Sequence, residues 1–270
     1  NAYLQRGCVA LALRIIPLRI KTFKELDLPP IIAEFTTRPS GLVLVTGSTG
    51  SGKSTTLAAM IDKINKERHE HILTIEDPIE FLHKHQNCMV NQREVGNDTK
   101  SFSQALKMAL RQDPDIVLIG EMRDLETIRA ALTIAETGHL TLATLHTNSA
   151  VQTINRIVDA FPQGEQQTVR TQLSFVLQGV VCQMLLPKIG GGRVMCYEVM
   201  NVTPAIRALI RDNKTHQIGS MIEIGQKFGM NTMNMRLAEL VRQGKLDHFE
   251  AVAKSPDPAQ LEKDLEKLGV

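Results

Sequence analysis

The stretch LVLVTGSTGSGKST, residues 42–55, decides the fold. An apolar run over residues 42–46 delivers Gly47-Ser48-Thr49-Gly50-Ser51-Gly52-Lys53-Ser54, which fits G-x-x-x-x-G-K-[ST], the pattern of a phosphate-binding P-loop. Gly47 and Gly52 let the backbone turn tightly, so that successive N–H groups face phosphate oxygens. Lys53 supplies a point positive charge for the β- and γ-phosphates, and the Ser54 hydroxyl is a ligand for Mg²⁺. A helix beginning near Ser54 adds the positive end of its dipole. The competing reading is a plain glycine-rich turn. The strand signal before the loop and the helix signal after it favour the nucleotide loop, with Ser48, Thr49, Gly50, Ser51, Gly52, Lys53, Ser54 and Thr55 as its ATP-binding residues.

Downstream, apolar residues at Leu57, Met60, Ile61 and Ile64 recur at helical spacing over residues 55–66. Residues 71–75 form a short apolar strand that ends in Glu76-Asp77-Pro78-Ile79-Glu80. Acidic groups at the carboxyl end of a strand lie where open α/β sheets bind ligands, so Glu76 is a candidate for the metal or water shell. Residues 101–112 are an amphipathic helix, and residues 116–119 a buried strand followed by Gly120 and Glu121. A carboxylate just past a strand tip can reach the water that attacks a γ-phosphate, which makes Glu121 the candidate general base or water-orienting group. Residues 124–136 form a helix with Asp124 as N-cap and Gly138 as its stop. The strand over residues 140–145 then delivers His146, a γ-phosphate sensor if it reaches the same sheet edge and otherwise a hydrogen-bonded structural group.

With 270 residues the chain holds one large or two modest domains. A net charge of +2, 4% aromatics and no Trp advertise no basic, base-stacking surface, so nucleic acid is not an expected partner. No apolar run approaches the roughly 18–20 residues of a membrane span, and no charged n-region with an h-region opens the chain. Cys8, Cys88, Cys182 and Cys196 are too scattered for a disulfide framework or a clustered zinc site. A cytoplasmic protein is the expectation. The first residue is Asn1, in what reads as mid-strand, so further chain upstream is expected.

Four ordered segments carry a resemblance: GSTGSGKST (47–55), ILTIEDPIEF (72–81), DPDIVLIGEMRD (113–124) and TGHLTLATLHTNSA (137–150). Together they resemble the secretion-ATPase superfamily, as its Walker A, Asp box, atypical Walker B with glycine before the glutamate, and His box. The resemblance covers essentially the whole chain. It implies an α/β fold, a RecA-like P-loop NTPase core over residues 41–200 with a mainly helical C-terminal region over 201–270. Residues 1–20 would be the remnant of an α+β PAS-like N-terminal domain, with 21–40 as linker. It further implies a homo-hexameric ring hydrolysing ATP with Mg²⁺, at the cytoplasmic face of a bacterial inner membrane and acting on a pilus platform protein.

Within that superfamily the chain resembles the type IV pilus retraction branch, whose expected work is pilus disassembly and twitching motility. Pilus assembly and type II secretion ATPases usually carry a tetracysteine zinc insert after the His box, and residues 149–199 hold only Cys182 and Cys196. The segment Ala205-Ile206-Arg207-Ala208-Leu209-Ile210-Arg211-Asp212 resembles the retraction branch's AIRNLIRE motif, departing at Ala208 and Asp212. From spacing alone it is an amphipathic helix begun by Thr203-Pro204, with Ile206, Leu209 and Ile210 inward and Arg207 and Arg211 outward. An ATP site between subunits needs a cation in trans. Arg14 is the first candidate by resemblance, with Arg93, Arg111 and Arg123 as alternatives. An assembly or secretion ATPase, a nucleic-acid motor and a nucleotide-gated ring without turnover stand as other readings. The remaining chain reads as helical over residues 162–178, 217–229 and 230–244, with a charged surface helix over 255–270.

Overall fold

The computed structural model describes residues 2–13, 16 and 19–269. Among these, an exposed antiparallel hairpin comes first, β1 (Ala2–Gln5) paired with β2 (Cys8–Leu11). Arg6 and Gly7 at its turn both have positive φ, 50° and 80°, the backbone twist that suits a two-residue hairpin. A short helix α1 (Pro30–Phe35) follows, and then β3 (Gly41–Thr46), buried at every position.

The core alternates strand and helix: α2 (Lys53–Glu67), β4 (His71–Glu76), β5 (Met89–Glu94), α3 (Phe102–Ala109), β6 (Ile116–Ile119), α4 (Leu125–Glu136) and β7 (Leu140–Leu145). After α5 (Ala150–Asp159) and α6 (Gln163–Val176) come two long strands, β8 (Leu177–Pro187) and β9 (Arg193–Asn201). They assemble into one sheet in the order β5-β4-β6-β7-β3-β8-β9, parallel throughout except for the β8–β9 hairpin. The fold class is α/β. Parallel strands buried on both faces read as continuous apolar runs, which is why β3, β6 and β7 were legible.

Alternate residues of β3 serve opposite faces. Leu42 and Leu44 pack into a cluster with α3, α4, α5 and α6, whereas Val43 and Val45 join α1 and α2 on the other side. The sheet is thus sandwiched between helices, so its carboxyl edge is the place where side chains from several strands meet.

The C-terminal region is helical: α7 (Pro204–Arg211), α8 (Ile218–Glu223), α9 (Met233–Arg242), α10 (His248–Lys254) and α11 (Pro258–Leu268). The single helix expected over 217–229 is broken into α8 and flanking 3₁₀ turns, Thr215–Gln217 and Gln226–Phe228. The break falls at Gly225, where a Cβ would sit 2.3 Å from the Met230 methyl and 2.8 Å from the Met221 carbonyl. The last helix is more than a surface feature. Leu261 and Leu265 are buried in a third cluster with Met233, Leu237 and Leu240 of α9, and with Leu186, Val194 and Cys196 from the far end of the β8–β9 hairpin.

Candidate nucleotide-hydrolysis site

The P-loop leaves β3 at Thr46 and enters α2 at Lys53, with glycines at the three positions that need left-handed backbone: Gly47, Gly50 and Gly52 at φ 141°, 79° and 91°. Gly47 is also a close approach, since a Cβ there would lie 2.2 Å from the Gln183 carbonyl. Helix α2 starts at Gly52 without a side-chain cap, so its first-turn N–H groups depend on the loop and on what the loop binds. The Ser51 hydroxyl is buried without a hydrogen-bond partner, a polar atom aimed into a loop built for anions.

Lys53 Nζ donates to the carbonyls of Gly47 (2.8 Å) and Ser48 (3.0 Å), which folds the lysine back along the loop. Partial burial lowers its pKa, opposed by the negative charges of Glu121 and Glu80. Two carboxylates therefore face the lysine from different strands. Glu121 follows β6, and Glu80 belongs to the loop after β4. Glu80 stood in the acidic loop of the sequence but was not singled out; its one signal was position four residues beyond Glu76.

Glu121 is held from two sides. Arg123 Nη2 lies 2.7 Å from Oε2, and His146 Nε2 lies 3.1 Å from Oε1. Burial works against ionisation, yet the Arg123 bond and charge, joined by His146, outweigh it and hold the carboxyl below the usual carboxylate range. At neutral pH it is a base. Arg123 also reaches Asp77 at 4.0 Å, so it ties the ends of β4 and β6 together. The register places all four strand ends side by side: Thr46 pairs with Leu145, Ile119 with Ala143 and Ile75 with Ile119. His139, by contrast, precedes β7 and lies at its opposite end.

Gly120 has a packing reason to be glycine. A Cβ there would meet Glu76 Cα and the Ile75 carbonyl, both at 3.2 Å, so β6 runs against β4 where any side chain would push them apart. Glu76 itself is enclosed: it accepts from Thr74 Oγ1 (2.7 Å) and Gln92 Nε2 (3.2 Å), and burial raises its pKa despite these bonds. Gln92, on the edge strand β5, also donates to the Phe81 carbonyl and accepts the His83 N–H, fastening the whole loop to the sheet. A cavity of about 30 Å³, room for about one water, lies between Ser54, Glu76, His83, Gly120 and Thr144. Burial pushes His83 down to about 4, so its ring is neutral there. Size does not mark this site. The larger cavity, about 290 Å³ between Thr36, Pro39, Ile64 and Arg68, sits at the opposite end of α2.

The other expected residues are dispersed. Arg93, near the end of β5, donates to the Asp98 carbonyl in the loop that follows, and Arg111 is exposed beyond α3. Arg14 lies outside the described residues. On α7, Ile206 and Ile210 are buried and Leu209 partly so, with Ala205 exposed. Arg211 is exposed and pairs with its neighbour Asp212. Arg207 departs from the expected outward face: it donates to the carbonyls of Ser174 (2.6 Å) and Phe175 (2.7 Å) at the end of α6. Helix ends leave carbonyls unpaired, and the two N–H bonds of Arg207 Nη1 satisfy two at once. The helical period gave the angle of Arg207 around α7, but not the presence of another helix end beside it.

Among the described residues no helix is long and apolar enough to cross a membrane, and no group of three or more His, Cys, Asp or Glu side chains is placed to hold a metal. A divalent ion at this site would have the Ser54 hydroxyl and Glu76 at the small cavity, together with phosphate oxygens. That donor set, hard oxygen with few protein ligands, is the one Mg²⁺ takes beside phosphates.

The family model described as Type II/IV secretion system protein matches residues 18–190. The type IV pilus retractation ATPase PilT of Pseudomonas aeruginosa is 54% identical over 96% of this chain and 75% of its own length. A twitching motility protein of Neisseria gonorrhoeae is 53% identical over 90% of this chain and 66% of its own length. Among solved structures, the pilus retraction motor PilT with bound ADP aligns with a TM-score of 0.92 at 55% identity, covering 97% of this chain and 75% of that one. The DotB ATPase of Legionella pneumophila aligns with a TM-score of 0.83 at 29% identity, over 93% of this chain and 70% of that one. With the P-loop sheet, the matched residues and this degree of identity in agreement, the chain belongs to the Type II/IV secretion system protein family.

Proposed function

We propose that this chain is the ATP-hydrolysing subunit of a motor that powers retraction of a type IV pilus. The observation that carries the reading is Glu121, ionised and held between Arg123 and His146, at the same sheet edge as Lys53. The P-loop N–H groups and Lys53 bind the triphosphate, and Glu121 orients a water and accepts its proton. Mg²⁺ bound at Ser54 would neutralise charge on the phosphates. Glu76, pinned by Thr74 and Gln92, supports that shell from beneath. His146, bonded to Glu121, registers whether a γ-phosphate is present, because the same carboxylate faces both the histidine and the reacting group.

The similarity to a pilus retraction motor supports the direction of work, and α7 with its Arg207 and Arg211 supports the retraction branch. We take the active form to be a homo-hexamer at the cytoplasmic face of the inner membrane, engaging a pilus platform protein. In this reading residues 41–200 are the RecA-like core, 201–270 the helical C-terminal region, and 1–20 the end of a PAS-like domain joined through 21–40. Arg93 and Arg123 are engaged within their own chain, so among the described candidates the exposed Arg111 is the one we favour for a neighbouring subunit's γ-phosphate, beside Arg14, which the family resemblance suggests.

The test is phosphate release by wild type and Glu121→Gln, with nucleotide binding measured on both. The variant should bind ATP within a few-fold of wild type and turn over 10²–10⁴-fold more slowly, the range for a lost general base. Equal turnover would remove Glu121 from its role. No turnover by either, with binding intact, would favour a nucleotide-gated ring.

A further inference from the structure

Gln183 of β8 is almost fully buried, and both ends of its amide are taken up by neighbouring groups. Its Nε2 donates to the carbonyl of Ser51 (2.9 Å), inside the P-loop, and its Oε1 accepts from Thr56 Oγ1 (2.9 Å), in the first turn of α2. Each end of a buried amide is thus occupied by the phosphate loop or the helix it feeds. β3 ends where Thr46 pairs with Cys182, so Gln183 stands alongside the loop just past the last paired residue. Its backbone carbonyl closes on Gly47 from below, and its Nε2 stands 3.2 Å from where a Cβ on Gly52 would be.

The bond to Ser51 has a directional consequence. The carbonyl of Ser51 and the N–H of Gly52 belong to one planar trans peptide, so they point in opposite directions. Drawing the carbonyl towards β8 turns the Gly52 N–H away from β8. We propose that Gln183 is a positioning residue that aims the Gly52 N–H at the nucleotide's phosphates, making β8 a structural part of the phosphate site. The inference rests on the ATP-binding reading and deepens it. The residue carries no motif signal: in the run CQMLLP it reads as one polar position in a strand. Thr56 is the second half of the clamp, because its hydroxyl fixes which way the amide faces.

The experiment is calorimetric titration of the full chain with ADP and with a non-hydrolysable ATP analogue, alongside thermal melts without nucleotide. Gln183→Met keeps the volume and removes both hydrogen bonds; Thr56→Val removes only the hydroxyl. Gln183→Met should weaken both nucleotides about tenfold, by a similar factor because the Gly52 N–H serves phosphates that both share. Thr56→Val should weaken them less, and the double variant should add little to Gln183→Met alone. A purely structural role would lower the melting temperature and leave the affinity of the folded protein unchanged. Affinities within twofold of wild type in a folded Gln183→Met would overturn the proposal. Should that variant not fold, affinities within twofold of wild type in a folded Thr56→Val would overturn it. Failure of wild type to bind either nucleotide would instead overturn the ATP reading, and this inference with it.

Discussion

Replacing Arg207 by Met removes a guanidinium fork while keeping most of the apolar stem. Its Nη1 donates to two carbonyls of α6, at 2.6 and 2.7 Å. A hydrogen bond to a charged donor contributes about 1.5–3 kcal/mol net when its partner is shielded, and less when water can replace it. Ser174 O is partly buried and Phe175 O is exposed, so the two together contribute about 2–3 kcal/mol rather than twice the upper figure. For a chain of this size each kcal/mol moves the melting temperature by about 2–4 °C, so the variant should melt roughly 4–12 °C lower. Arg211→Met is the control. Its pair with Asp212 is about half exposed on both sides, and such pairs are worth about 0–1 kcal/mol. Urea unfolding followed by circular dichroism at 222 nm, with the slope compared between variants, measures both losses. If Arg207→Met and Arg211→Met cost the same few tenths of a kcal/mol, Arg207 is a solvated surface charge and the helix-end account is wrong.

Two further outcomes follow from the packing and the titration of this core. Glu76→Gln should be at least as stable as wild type at pH 7. Burial raises the Glu76 carboxyl above its ordinary 4.5, so the folded state binds more protons than the unfolded one across that window, and wild-type stability falls as pH rises through it. Unfolding at pH 7 and at pH 3.5 should show the difference between the two proteins vanish at the lower pH; a variant less stable at pH 7 by as much as at pH 3.5 would refute the sign. Gly179→Ala should cost about 3 kcal/mol or more by overpacking, since its Cβ would sit 2.2 Å from the Phe35 ring. Denaturant midpoints should show part of that loss recovered in Gly179→Ala with Phe35→Leu.

The site was legible where chemistry and burial coincide in one short run. β3, β6 and β7 are buried throughout and largely apolar, and the segment after each carries a functional residue, so Lys53, Glu121 and His146 could be named from the sequence. β5 went unread because MVNQRE shows little apolar signal: on the edge of the sheet only Val90 is buried. With β5 went Gln92, the residue that explains why Glu76 is enclosed. Gln183 and the inward turn of Arg207 share a cause. Both depend on which element lies beside which, and neither local period nor residue type encodes that. The helix expected over 162–178 runs only to Val176, because Leu177 begins β8; two apolar residues at a helix end look the same as two at a strand start.

The sheet order has a consequence for the reaction. β7 lies between β3 and β6, so the strand that carries the P-loop and the strand that carries the base are two strand spacings apart, about 10 Å. Were β3 and β6 neighbours, a separation of about 5 Å would let Glu121 and Lys53 close on each other as an ion pair, and the lysine would be spent before a nucleotide arrived. The inserted strand keeps the P-loop strand and the strand before Glu121 from lying side by side. It also ends in His146, so the spacer that opens the gap carries the side chain that can sense what fills it.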